Sequence, residues 1–229
     1  MKNLNEVLFL VQARLGSQRV PNKMLRPFAG TTLMDICLEK VKNSNYIPME
    51  NFYVSAYEEE LKQVCRNHGV NIFNRSEQSA TSEGNPMTEM YEWWDKLPYK
   101  YCVLINACAP FFKLETIESF AQKYLESDSD GMFGVMEKKN YFWNKDFSLT
   151  TPWPEGCAVM NTKFVEVTYE GAHCLYAGRL DKIGDGIWMG DFLKPGDIEL
   201  FPLEEKECLD IDYEWQFQLC ESLYKAGVR

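Results

Sequence analysis

Only two histidines, His68 and His173, occur in the 229 residues, and none of the eight cysteines stands in a C-x-x-C pair. This scarcity of suitably spaced ligands argues against a structural zinc site and leaves free thiols, in a reducing cytoplasm, as the expectation. Long apolar runs are also missing. The first run, Val7 to Val11, leads straight into a polar, basic loop, which fits neither a membrane span nor a signal peptide. The absence of repeats and low-complexity tracts argues against a solenoid or a disordered chain. Positive charge is in short supply: 24 Lys and Arg face 34 Asp and Glu, a net charge of -10. A broad nucleic-acid or anionic-membrane surface would have to form against that field, so neither partner is expected.

One local absence runs the other way. From Val7 to Met34 there is no Asp or Glu, while Arg14, Arg19, Lys23 and Arg26 fall inside the window. A compact polyanion is the ligand such a stretch suits.

Short runs rich in β-branched and aromatic residues alternate with amphipathic stretches, the pattern of an α/β fold with a mostly parallel sheet. Strands are expected at Glu6–Val11, Phe52–Ser55, Asn71–Phe73, Tyr101–Ile105, Gly131–Val135 and Ile198–Phe201. Helices are expected from Thr32, at Glu58–His68 with Gly69 as its left-handed stop, at Met87–Trp94, at Leu114–Leu125 and at Tyr213–Ala226. Asn74 to Pro86 reads as a loop. After Glu137 the periodicity is lost, which suggests an inserted lobe at 137–197 between the two parts, 1–136 and 198–229, of one nucleotide-binding domain.

Two constellations carry chemistry. The loop Gln12-Ala13-Arg14-Leu15-Gly16-Ser17-Gln18-Arg19-Val20-Pro21-Asn22-Lys23 follows the first strand, and ligands of open α/β sheets bind at the carboxyl ends of strands. Gly16 lets backbone N–H groups approach phosphate, and three cations serve a triphosphate; no Walker G-K-[ST] follows. An ordinary solvated basic turn is the competing interpretation. The second constellation is Asp210 and Asp212. An extended backbone places them on one side, where two carboxylates suffice for a magnesium ion completed by water and phosphate. Alternatively, Asp212 simply caps the last helix.

With these residues in view, the loop QARLGSQRVPNK, the GAxxxN-like strand expected at Cys157 to Asn161 and the terminal LDIDYEWQF resemble the family of CMP-sugar synthetases, which includes acylneuraminate and 3-deoxy-manno-octulosonate cytidylyltransferases. The resemblance implies a Rossmann-like sheet with a small inserted dimerisation lobe, hence a homodimer. It also implies Mg2+ as cofactor and a reaction in which a sugar hydroxyl attacks the α-phosphate of CTP. Arg14, Lys23 and Asp212 would be catalytic, Asp210 and Asp212 would hold the metal, and Ala13, Gly16, Ser17 and Arg19 would bind triphosphate. Ala80, Thr81 and Ser82, with Asn106 and Ala107, would line the cytidine pocket. The acceptor implied is a 2-keto sugar acid of the sialic acid class; a sugar or polyol phosphate giving a CDP-linked product, and a nucleotide-binding protein without turnover, are the alternatives. Trp153-Pro154-Glu155-Gly156 stands where sialate enzymes tend to have Arg-Pro-Asn-Gly, a departure in the sugar half.

Overall fold

The protein is described here by a computed structural model, which covers residues 2–81 and 84–228. Seven strands form one sheet in the order β3-β2-β1-β4-β6-β5-β7. They are β1 (Val7–Gln12), β2 (Phe52–Ala56), β3 (Asn71–Asn74), β4 (Tyr101–Ile105), β5 (Gly131–Lys138), β6 (Thr168–Arg179) and β7 (Ile198–Leu203). Every pairing is parallel except the two made by β6, which runs antiparallel between β4 and β5. The mostly parallel α/β expectation therefore holds.

The continuous apolar run of β1 follows from its central position. Val7, Phe9 and Val11 are buried in the larger core, with α1 (Leu33–Lys42), α2 (Glu59–His68), α5 (Leu114–Glu126) and α6 (Glu214–Lys225) contributing to it. Leu8 and Leu10 face the other way, into a smaller core with Trp93, Cys102, Leu180, Ile183 and Trp188. The alternation of side chains along a strand divides the residues between these two layers. Gly178 is needed for the second layer, because a Cβ there would lie 2.3 Å from the carbonyl oxygen of Trp188.

The expected lobe boundary needs redrawing. β6 lies inside the 137–197 segment yet pairs residue by residue with β4, from Tyr101↔Arg179 to Ile105↔Leu175. Residues after it, Leu180, Ile183 and Trp188, are buried on the second face of the sheet, because that face needs apolar cover. What stays outside the sheet between β5 and β6 is 139–167. The strand expected at Cys157 to Asn161 is irregular in the structure, and the Gly-Ala pair that enters the sheet is Gly171-Ala172 of β6. The loop expected at 74–86 contains a short helix, α3 (Glu77–Ala80), started by Ser76, whose hydroxyl accepts from the Ser79 N–H. The helix expected at Met87–Trp94 is shorter, α4 (Met87–Met90), and continues as turns. Among the described residues no helix is long and apolar enough to cross a membrane.

Candidate functional site

β1 has β2 on one side and β4 on the other, so the connections leaving its carboxyl end and that of β4 diverge and open a crevice. Two adjoining cavities occupy it. One, of about 310 Å³, is lined by Gln12, Arg14, Arg75, Ser79, Thr81, Met90, Tyr91, Leu104, Ile105, Asn106 and Tyr176. The other, of about 450 Å³, is lined by Gln12, Ala13, Arg14, Ser17, Gln18, Arg19, Lys23, Met24, Asn106, Cys108, Asp210 and Asp212. Gln12, Arg14 and Asn106 belong to both, so the cavities share a wall.

The two sequence constellations, 193 residues apart between Arg19 and Asp212, meet in the larger cavity. Arg19 Nη2 donates to Asp212 Oδ1 at 2.6 Å, and Lys23 Nζ lies 3.7 Å from the same oxygen. Lys23 Nζ also donates to the Ile211 carbonyl at 2.6 Å. The cations thus have partners, supplied by the segment before α6, although the sequence around them contains no carboxylate. Arg26 reaches the start of α6 itself, through two hydrogen bonds to Glu214, 2.7 and 2.8 Å. Asp212 does not cap α6 with its side chain. Gln216 Oε1 closes that helix start by accepting from the Asp212 and Tyr213 N–H groups, both at 2.8 Å, while the Asp212 carboxylate turns toward the basic loop.

Asp210 is half-buried, and its Oδ1 is enclosed with no hydrogen-bond partner. Burial pushes its carboxyl above the usual range; Lys23 opposes the shift and Asp212 adds to it. An enclosed, unpaired carboxylate oxygen is costly unless a cation meets it. Among the described residues no three or more of His, Cys, Asp and Glu gather as a metal cage. A hard cation here would therefore rely on this pair, with ligand oxygens and water completing its shell.

The other expected residues divide. Ala13 and Ser17 line the larger cavity, and the Ser17 hydroxyl accepts from the Val20 N–H at 3.3 Å. A Cβ at Gly16 would meet nothing within 4 Å, so packing does not demand glycine there. Arg14 lines both cavities and donates to the carbonyls of Ala80 and Thr81. Thr81 and Asn106 line the smaller cavity. Ala107 is buried in the main core and lines neither cavity, and Ser82 lies outside the described residues.

Sequence reasoning passed over several cavity residues, among them Arg75, Tyr91 and Tyr176, and named Gln12 only as the start of the basic loop. Arg75 stands one residue past β3, a strand-end position that could have flagged it. Its Nη2 donates to the Ala13 carbonyl at 3.0 Å, its Nε is buried without a partner, and burial pulls its guanidinium down to about 10. Gln12 is fixed on both sides, donating to the Met90 carbonyl at 3.2 Å and accepting from Trp93 Nε1 at 2.9 Å. His173, assigned from sequence to the lobe, lies on β6 with a left-handed backbone, φ 54°, and its carbonyl accepts from Asn106 Nδ2 at 2.9 Å. His68 pairs with Asp35 at 2.8 Å, away from the cavities.

A family model described as Cytidylyltransferase matches residues 8–169. Spore coat polysaccharide biosynthesis protein SpsF of Bacillus subtilis is 27% identical over 135 residues, which cover 56% of this chain and only 53% of that protein. Pseudaminic acid cytidylyltransferase of Campylobacter jejuni is 22% identical over 240 aligned positions, covering 99% of this chain and 98% of that protein. Among solved structures, CMP:2-keto-3-deoxy-manno-octonic acid synthetase complexed with CTP superposes with a TM-score of 0.70 at 12% identity, covering 97% of this chain and 99% of the other. A cytidylyltransferase from Leptospira borgpetersenii gives 0.63 at 17% identity, over 96% of this chain and 87% of the other.

Proposed function

The chain belongs to the cytidylyltransferase family and is a CTP-using nucleotidyltransferase; from that premise we propose that it couples CTP to a 2-keto sugar acid of the sialic acid class, giving a CMP-sugar and pyrophosphate for surface glycan biosynthesis. The observation that carries this reading is the pair of adjoining cavities. One combines polar and aromatic side chains such as Ser79, Thr81, Asn106, Tyr91 and Tyr176 with the apolar Met90, Leu104 and Ile105 and the guanidinium groups of Arg14 and Arg75, and suits a nucleoside next to its phosphates; the other gathers three cations beside two carboxylates and suits a triphosphate. The acceptor class is supported by the Campylobacter relative, a pseudaminic acid cytidylyltransferase that aligns over 99% of this chain.

In the reaction so read, Arg14, Arg19 and Lys23 hold phosphate oxygens and neutralise charge developing on the departing pyrophosphate. The acceptor hydroxyl oxygen forms its bond to the α-phosphorus and releases its proton to solvent as the α–β bridging bond breaks and pyrophosphate departs, and the crevice holds the entering and leaving oxygens in line. Asp210 and Asp212 fit a magnesium ion, because the enclosed Asp210 Oδ1 lacks any other partner. Such an ion supplies Lewis-acid neutralisation of phosphate charge. The 139–167 segment exposes Trp143, Phe147, Trp153, Met160 and Phe164, and a homodimer formed through this apolar face, in the cytoplasm, completes the proposal.

The test is pyrophosphate release from CTP and magnesium across a panel of sugar acids, neutral sugars and sugar phosphates. Release with one or more 2-keto sugar acids alone supports the reading. Release with sugar phosphates alone replaces the acceptor class, and no release with any acceptor, despite CTP binding, favours a protein without turnover.

A further inference from the structure

Glu58 occupies the position just before α2, yet its side chain makes no bond to that helix. Glutamate is not among the favoured residues there. Instead Glu58 Oε1 accepts from the Leu15 N–H at 2.7 Å, across 43 residues of sequence. On the other side of Arg14, the Ala13 carbonyl accepts from buried Arg75 at 3.0 Å, and the Ala13 N–H donates to the Ser55 carbonyl at 3.1 Å. Glu58 and Arg75 also attract each other electrostatically. The backbone on both sides of Arg14 is therefore gripped by side chains of opposite charge.

The grip is held at a cost. Glu58 Oε2 and Arg75 Nε are both enclosed without hydrogen-bond partners, an arrangement that a merely structural contact would not require. We infer that Glu58 is a positioning residue of the phosphate loop: through the Leu15 N–H it fixes the backbone that presents Arg14, Gly16 and Ser17 to the triphosphate. This rests on the cytidylyltransferase reading above. Glu58 itself lines neither cavity, so it acts through the loop and not on the ligand.

The experiment is calorimetry of CTP, inorganic tripolyphosphate and cytidine with the wild type, Glu58→Ala, Glu58→Asp and Glu58→Gln. Glutamine keeps an oxygen at the same reach, aspartate keeps the charge but falls short, and alanine loses both. We expect alanine and aspartate to weaken CTP and tripolyphosphate about tenfold, the equivalent of one lost hydrogen bond, glutamine to stay near wild type, and cytidine to bind all four alike. Unchanged tripolyphosphate affinity in the aspartate variant overturns the inference. So does an equal loss of cytidine, which marks general damage, or a glutamine variant as weak as aspartate, which moves the effect from the bond to the charge. If alanine fails to fold, the aspartate and glutamine pair decides. A wild type that binds tripolyphosphate but not CTP sinks the nucleotide reading and leaves this inference standing on its own result.

Discussion

Replacing Asp210 by asparagine should abolish metal-supported turnover while leaving the metal-free protein at least as stable as before. The Asp210 Oδ1 is enclosed without a partner, and burial raises its carboxyl above the usual range. An enclosed polar atom without a partner costs about 1–3 kcal/mol, more when charged. An amide leaves an atom in the same place but removes the charge, so a gain of roughly 1 kcal/mol is expected. In a chain of this length that is about 2–4 °C in melting temperature. The raised carboxyl means that the folded state holds its proton more tightly than the unfolded state. The cost is thus absent below the ordinary carboxylate range and appears as pH rises through the raised value. Melts in a chelator from about pH 4 to about pH 8 should start together and then separate, with the variant the higher. Adding magnesium and CTP should then raise the wild type and leave the variant nearly unmoved. A variant that melts below wild type in chelator at the upper pH, or that gains as much from magnesium and CTP, refutes the reasoning.

Arg19→Ala should lower turnover by about a hundredfold with the melt unchanged, because its side chain is 53% exposed; a lower melt with an unchanged rate per folded molecule would make it structural. Arg26→Ala should do the reverse, since Arg26 grips Glu214 with two bonds and lies 4.3 Å from the Phe217 ring. Binding of the four ribonucleotides with magnesium should rank CTP first, a preference that follows from family membership; a purine ranked first counts against it. Phe147, 88% exposed, replaced by serine together with Trp143, should shift sedimentation from dimer toward monomer, and an unchanged sedimentation coefficient would place the interface elsewhere.

The sheet was legible because its strands carry strong local signals. β1 is apolar on both faces, Gly69 ends α2 with φ 66°, and the basic loop follows β1 as strand-end rules require. What escaped was non-local. β6 reads poorly from sequence because Glu170 and His173 interrupt its apolar pattern, and its place in the sheet depends on pairing with β4 and β5 rather than on its own residues. Trp188 looked like part of a separate lobe because nothing in its neighbourhood reveals that Leu8, Leu10 and Trp93 need cover. Arg75 and Glu58 escaped for a related reason. A lone Arg after a strand and a Glu at a helix start are common surface residues, and only the side-by-side, parallel arrangement of β3, β2 and β1 brings both to the loop that leaves β1.

The same limit applies to the basic loop's charge balance. A window without a carboxylate left Arg19 and Lys23 without local partners, which was correct locally. The fold supplies Asp212 and the Ile211 carbonyl from the far end of the chain. The consequence is mechanistic, because each of these groups is also wanted by a ligand. In the proposed reaction a triphosphate would compete with Asp212 for Arg19 and Lys23, and every cation it drew away would leave Asp212 freer to join Asp210 in meeting a metal. The Arg19–Asp212 pair costs little to break, since both of its side chains are partly solvated. In the proposed reaction the oppositely charged halves of the site, which hold each other in place, would exchange partners when the nucleotide arrives.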